Sequence, residues 1–385
     1  MQATLKPRPH VLFIVMSLLL YLPVFFCLAM LGALWYGWLA AAFSFWVLFW
    51  MHSRPFWHGW RSILCFFSAY LVAAFGLYIA RPTWDISFSA QVSRGMVRTF
   101  TSLPPQDQAL GSTILGDRDW QPPEGYALRV TPLSHSQLEL LTKNGADNPR
   151  AVLQLHGGAF VSGLYDLYRE FALRYSRLYG DALVATLDYR LAPAYPYPAQ
   201  QQDTMDAWHY LTQTLHYAPE NILVVGDSAG GNLALSLGLR LRDRQLPMPG
   251  GFVCLSPWAD LSNSGSSHVY NATADPSFGI AAADFHGQPV GVNSTYADGL
   301  DATDPYLSPS FGDYEGFPPM LLQAGSIEVL LSDSEMIYQN ARSHHIDCEL
   351  TVYNGMFHVF QGALDLLPES KLAWQEIAQF IANRM

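Results

Sequence analysis

Residues 222–231 read Ile222-Leu223-Val224-Val225-Gly226-Asp227-Ser228-Ala229-Gly230-Gly231. The first four form a short apolar run of the kind that makes a buried strand, and the Leu- and Ala-rich stretch Gly231–Arg244 reads as helix. Between them Gly226–Gly230 fits the pattern G-x-S-x-G. That pentapeptide occurs by chance, but a strand before it and a helix after it are the context of a nucleophile elbow. Glycines let the chain turn sharply around a strained serine, and the helix N-terminus directs partial positive charge at an anion forming there.

Working outward, the same alternation continues. Ala151–Leu155 and Leu183–Leu187 read as strands, with helices expected at Leu167–Tyr179 and Pro198–Thr214. Gly251–Leu255, Met320–Ala324 and Cys348–Tyr353 are further strands, with helices at Ser332–Ser343 and Glu369–Arg384. Ala127–Pro132 and Gln137–Thr142 read as a strand pair. Strands joined by helices predict an α/β fold with a mainly parallel sheet covered on both faces. Residues 261–305 are too long for a plain connection, so they are a loop or an inserted cap.

A serine nucleophile needs a base, and the base needs an orienting acid. His358 lies just after the strand Cys348–Tyr353, and loops at strand C-termini are where such sheets meet ligands. Glu328 follows Met320–Ala324 by the same logic. Asp333, five residues on, is the rival acid, although the start of a helix already accounts for a carboxylate there. His344 and His345 fall in a polar helix-to-strand turn that reads as exposed. His156 opens the turn His156-Gly157-Gly158-Ala159 and reads as a structural residue. Backbone N–H groups of that turn, with the N–H of Ala229 after the nucleophile, can face a tetrahedral oxyanion. No Cys or His spacing makes a metal site, four cysteines make no disulfide framework, and the chemistry requires no cofactor.

Charge divides the 385-residue chain. Residues 1–82 hold five cations (Lys6, Arg8, Arg54, Arg61, Arg81) and no Asp or Glu. The chain's 21 cations less those five leave 16 against all 32 acids in the rest. An acidic body of this kind argues against nucleic-acid binding. Residues 11–51 carry no charged side chain, and one helix of that length would measure roughly 60 Å, about twice a bilayer core. The head therefore predicts a transmembrane helical region at 1–82 with three spans, near 11–31, 34–51 and 63–80, and membrane lipid as its partner. Seven of the eleven tryptophans fall at or before Trp84, mostly near span ends, where interfacial anchors sit. The apolar run is too long for a signal-peptide core. Three spans put both cation clusters inside and the body, residues 83–385, outside. In a bacterium this is the inner membrane with the catalytic domain on the periplasmic side; two spans would put the body in the cytoplasm.

Taken together, these residues resemble the hormone-sensitive-lipase family of α/β-hydrolases, from about Gly125 to the C-terminus. His156–Phe160 is similar to its HGGG segment, Asp188-Tyr189-Arg190-Leu191-Ala192-Pro193 to its DYRLAPE segment, and Gly226–Gly231 to its nucleophile motif. Asp304-Pro305, Ser308-Pro309, Pro318-Pro319 and Gly325–Leu330 resemble the approach to its acid, and Gly355–Phe360 its histidine segment. The resemblance implies Ser228 as nucleophile, Glu328 as acid and His358 as base. It implies an oxyanion hole at the N–H groups of Gly158, Ala159 and Ala229, with Gly157 in the same turn. It also implies a cap, for which residues 83–112 and 261–305 are in the right places. Ala159 departs from the third glycine of HGGG, and Glu328 stands where Asp is commoner.

The implied function is a membrane-anchored serine carboxylesterase acting on small acyl esters through an acyl-enzyme. Acyl transfer, or lactone or amide hydrolysis, would use the same triad. A non-catalytic ligand-binding module is the remaining alternative, and the intact histidine segment argues against it.

Overall fold

The computed structural model describes residues 21–32, 35–52, 60–80, 82–83, 85–102, 120–146, 148–291 and 295–385. The chain divides into two compact units, residues 1–102 and 103–385.

The second unit is built on one eight-stranded sheet. In chain order the strands are β1 (Tyr126–Pro132), β2 (Gln137–Lys143), β3 (Ala151–Leu155), β4 (Leu183–Asp188), β5 (Ile222–Asp227), β6 (Gly251–Leu255), β7 (Met320–Gly325) and β8 (Cys348–Tyr353). Their order across the sheet is β1-β2-β4-β3-β5-β6-β7-β8. β2 pairs antiparallel with β1 and β4, and every other pairing is parallel. The alternation expected from the sequence is present, with ends displaced by a residue or two.

Because successive strand side chains face opposite ways, each apolar strand feeds two cores. Leu153, Val224, Cys254 and Leu322 enter one core; Val152, Val225, Val253 and Leu321 enter the other. The first core is closed by α5 (Ala199–His209), α6 (Ala229–Asp243) and α7 (Leu331–Ser343), through residues such as Trp208, Leu237 and Ile337. The second is closed by α4 (Asp166–Leu178) and α8 (Pro368–Arg384), through Phe171, Tyr175, Trp374 and Ile377. The expected helix Pro198–Thr214 is α5 followed by a wider π turn at Tyr210–Thr214. Residues 261–305 carry one helical turn, Ser267–Tyr270, and are otherwise irregular where described.

The first unit contains helical residues 21–31, then α1 (Trp35–His52), α2 (Trp60–Ile79) and α3 (Phe88–Thr101). Small residues let α1 and α2 approach closely: a Cβ on Gly76 would lie 2.7 Å from the Ala40 Cβ. Ser87 caps α3, its Oγ accepting the Ala90 N–H at 3.1 Å. Two expectations change here. The boundary between units falls after residue 102, not residue 82, because Phe88 and Val92 of α3 pack on the cluster of Tyr21, Val24 and Leu28. The helical part of the 83–112 cap expectation thus belongs to the head, and residues 103–112 lie outside the described residues. The three spans also fail to appear as such. Residues 11–20 and 33–34 lie outside the described residues, Gly32 at φ +56 turns the chain after residues 21–31, and no described helix is long and apolar enough to cross a membrane.

Candidate active site

The residues singled out by the sequence collect at the C-terminal ends of adjacent strands. Ser228 follows β5, His156 follows β3, and Glu328 and His358 lie in the loops after β7 and β8. Ser228 has φ 52 and ψ −121, a conformation that costs an L-residue roughly 1–3 kcal/mol. The flanking glycines permit this turn: a Cβ on Gly226 would come within 2.3 Å of the Gly230 carbonyl oxygen, and one on Gly230 within 2.0 Å of that of Leu155. The elbow is held from β6 by the Ser228 N–H donating to the Leu255 carbonyl at 2.9 Å, and by the Trp258 N–H donating to the Ser228 carbonyl at 3.0 Å.

His358 and Glu328 form a hydrogen-bonded pair, Nδ1 to Oε2, at 2.9 Å. Glu328 is fully buried, and the His358 side chain is one-tenth exposed. The other carboxylate oxygen, Oε1, accepts from the Ser256 hydroxyl at 3.0 Å and the Gly325 N–H at 2.5 Å. The edge of the Phe278 ring meets the His358 ring at a centroid distance of 4.8 Å.

Asp333 is engaged elsewhere. Its Oδ2 accepts the N–H groups of Ala259 and Asp260, both at 2.8 Å, and its Oδ1 lies 3.2 Å from His268 Nε2. His268 Nδ1 faces the Val290 carbonyl at 2.7 Å. With acceptors on both ring nitrogens, the buried pair keeps a proton that a neutral imidazole beside an ionised carboxylate would lack. Burial pushes the Asp333 carboxyl up to about 6. Burial also works against a charged His268, but the hydrogen bond and charge of Asp333 outweigh it and raise the imidazole pKa. Since Ser267, His268 and Asn271 bond to Ser332, Asp333 and the Glu328 carbonyl, residues 261–305 are tied to the loop that carries the acid.

The turn after β3 is left-handed at Gly158, Ala159 and Phe160, with φ 109, 53 and 63. Alanine therefore occupies the third-glycine position in a region that costs an L-residue about 1–2 kcal/mol. One residue of the implied oxyanion hole is corrected. The Gly157 N–H donates to the Tyr168 hydroxyl at 3.0 Å and to Asp227 Oδ1 at 3.2 Å, so it fastens the turn to the elbow and does not face an oxyanion. Burial raises the Asp227 carboxyl to about 6, against the opposing pull of His358, Tyr168 and the Gly157 N–H.

His156 has the structural role read from its sequence position. Its ring is fully buried, stacks on Tyr189 at 4.0 Å, and donates from Nδ1 to the Gly157 carbonyl at 2.7 Å. Burial lowers its pKa to about 4, which keeps it neutral. Tyr189 donates to the His156 carbonyl at 2.8 Å, and the neighbouring Arg190 is bidentate to buried Asp203. His344 is spent on the Asn340 carbonyl at 3.0 Å and on Asp313 at 3.2 Å. Ser256, Tyr168 and His268 escaped sequence reasoning. For Ser256 a signal was present: it directly follows a strand, as Ser228 does.

A family described by its α/β hydrolase fold matches residues 152–362. An esterase of Acinetobacter venetianus is 30% identical over 78% of this chain and 97% of its own length. An acetyl-hydrolase of Streptomyces hygroscopicus is 33% identical over 66% of this chain and 81% of its own. Among solved structures, an esterase from the bacterial hormone-sensitive lipase family is 32% identical, with a TM-score of 0.67 over 77% of this chain and 98% of that one. With this sheet, this elbow and these relatives, the chain belongs to the α/β-hydrolases, in the hormone-sensitive-lipase family of ester hydrolases.

Proposed function

We propose that the second unit is a serine carboxylesterase working through an acyl-enzyme on Ser228, with His358 as base and Glu328 as the acid that orients it. The observation that carries this is the buried 2.9 Å bond from His358 Nδ1 to Glu328, in a sheet that also presents a strained serine at the end of β5. Donating Nδ1–H to Glu328 leaves Nε2 as the basic nitrogen. That nitrogen takes the Ser228 proton as Oγ bonds to the ester carbonyl carbon. The N–H groups of Gly158, Ala159 and Ala229 receive the oxyanion. His358 then returns the proton to the departing alkoxide oxygen, releasing the alcohol. Water attacks the acyl-enzyme in the same manner and frees the carboxylic acid. A fluorophosphonate probe is expected to form one adduct, recovered on the peptide containing Ser228. An adduct on another serine, or none, would remove the assignment.

We also propose that the head attaches this enzyme to a membrane. What supports this is the apolar surface of α1 and α2, where Leu39, Phe43, Trp46, Phe67, Leu71 and Phe75 are each more than half exposed. An exposed apolar patch of that kind marks a lipid or protein contact. The full chain is expected to stay with the membrane fraction through high salt and alkaline carbonate, and to leave it only in detergent. Release by salt alone would show a charge-held surface protein instead. Which side of that membrane the body faces depends on how many times the head crosses it, and protease accessibility in intact spheroplasts reads that side directly.

A further inference from the structure

We infer that the Leu255–Ser256 step at the end of β6 registers the three catalytic segments to one another, and that Ser256 is a positioning residue for ester hydrolysis. This rests on the roles proposed above for Ser228, His358 and Glu328. The Leu255 carbonyl accepts the N–H of Ser228 at 2.9 Å. The next residue reaches the other two segments. Ser256 Oγ donates to Glu328 Oε1 at 3.0 Å and accepts the N–H of Val359, the residue after His358, at 3.1 Å.

Its geometry suits one hydroxyl to both tasks. Ser256 is fully buried, has φ 46, and is anchored by its N–H to the Gln323 carbonyl of β7 at 2.7 Å. A hydroxyl carries one hydrogen, and an ionised carboxylate only accepts, so that hydrogen goes to Glu328. The oxygen is then left to accept from Val359, which itself sits in the left-handed region at φ 50. With Oε1 held by Ser256 and Gly325, Oε2 is directed at His358 Nδ1. Losing the hydroxyl would deprive Val359 of its acceptor and leave Glu328 Oε1 held by the Gly325 N–H alone.

A bland role as a turn residue predicts something different. Ser256→Ala keeps the Cβ and its backbone strain, whereas Ser256→Gly removes the hydroxyl and relieves the positive φ. In the detergent-solubilised full chain, with a short-chain p-nitrophenyl ester, both variants are expected to lower kcat about ten- to hundredfold, the loss of one hydrogen bond to a charged group. KM should stay within about twofold, because the interaction does not touch bound substrate. Ser256→Cys, with a weak donor, should recover part of kcat.

Wild-type kcat in Ser256→Gly, or a kcat that falls only in step with the folded fraction and is not recovered in Ser256→Cys, would overturn the positioning role. Ser228→Ala run alongside separates the two readings. Hydrolysis surviving there defeats the site assignment. Hydrolysis lost there but intact in the Ser256 variants defeats only the inference about Ser256.

Discussion

Ser228→Ala is expected to lower kcat for a short-chain p-nitrophenyl ester by about four to six orders of magnitude while leaving the fold intact. The fold should survive because the elbow's hydrogen bonds run through the backbone: the Ser228 N–H to Leu255 and the Ser228 carbonyl from Trp258. Alanine keeps the Cβ, so the strained φ of 52 is neither worsened nor relieved. What disappears is the oxygen that bonds to the carbonyl carbon. The oxyanion donors and substrate binding remain, and they support a residual rate of roughly 10³–10⁴ over water. Stopped-flow or long-incubation assays beside a melting curve measure both quantities. Activity within about a hundredfold of wild type, with an unchanged melting curve, would mean that the nucleophile lies elsewhere.

Glu328→Gln and Asp333→Asn should separate two carboxylates that the chain places five residues apart. Glu328→Gln is expected to lower kcat about 10⁴-fold, because an amide facing His358 favours the wrong tautomer and withdraws the charge that stabilises the imidazolium. Its effect on stability should be small by comparison. Asp333→Asn should do the reverse. Its carboxylate holds Ala259, Asp260 and His268, so its loss should cost stability by about 1–3 kcal/mol with kcat within about tenfold of wild type.

The stability effect should depend on pH in a fixed direction. His268 has a raised pKa, so its contribution is complete below the unfolded value of about 6.5 and is lost as pH rises through the folded one. Burial of Asp333 raises its carboxyl to about 6, so this contribution is complete below the unfolded value of about 4 and is lost as pH rises to about 6. The wild type's advantage over Asp333→Asn should therefore shrink from about pH 4 upwards, first through the Asp333 range and then through the raised His268 range. An advantage that grows with pH, or equal kcat losses in the two variants, contradicts this account.

Much of the hydrolase was legible in the sequence because its central strands β3, β5, β6 and β7 are buried on both faces. Runs such as Ile222–Val225 and Gly251–Leu255 read as continuous apolar segments, and each lies within a strand of the sheet. The elbow was legible because only glycine tolerates the approaches at 226 and 230. The oxyanion turn was legible in outline but not in its individual N–H groups. Gly157 differs from Gly158 in what its N–H faces, and that is set by Tyr168 and Asp227 from other elements. The head was legible as an apolar region but not as a unit: α3 belongs to it through packing on residues 21–31, which no local pattern reveals.

By itself, the sequence determined which chemical groups this protein owns and on which kinds of element they sit: a serine on a strand–helix turn, and a histidine and two carboxylates after later strands. Tertiary structure decided which carboxylate meets which histidine. Glu328 pairs with His358 thirty residues away, and Asp333 pairs with His268 sixty-five residues away in the other direction. The physical reason is sheet order. Setting β5, β6, β7 and β8 side by side brings their C-terminal loops within hydrogen-bonding reach, whatever their separation along the chain. The first turn of α7 then carries Asp333 to the segment after β6 and leaves Glu328 in the loop facing His358.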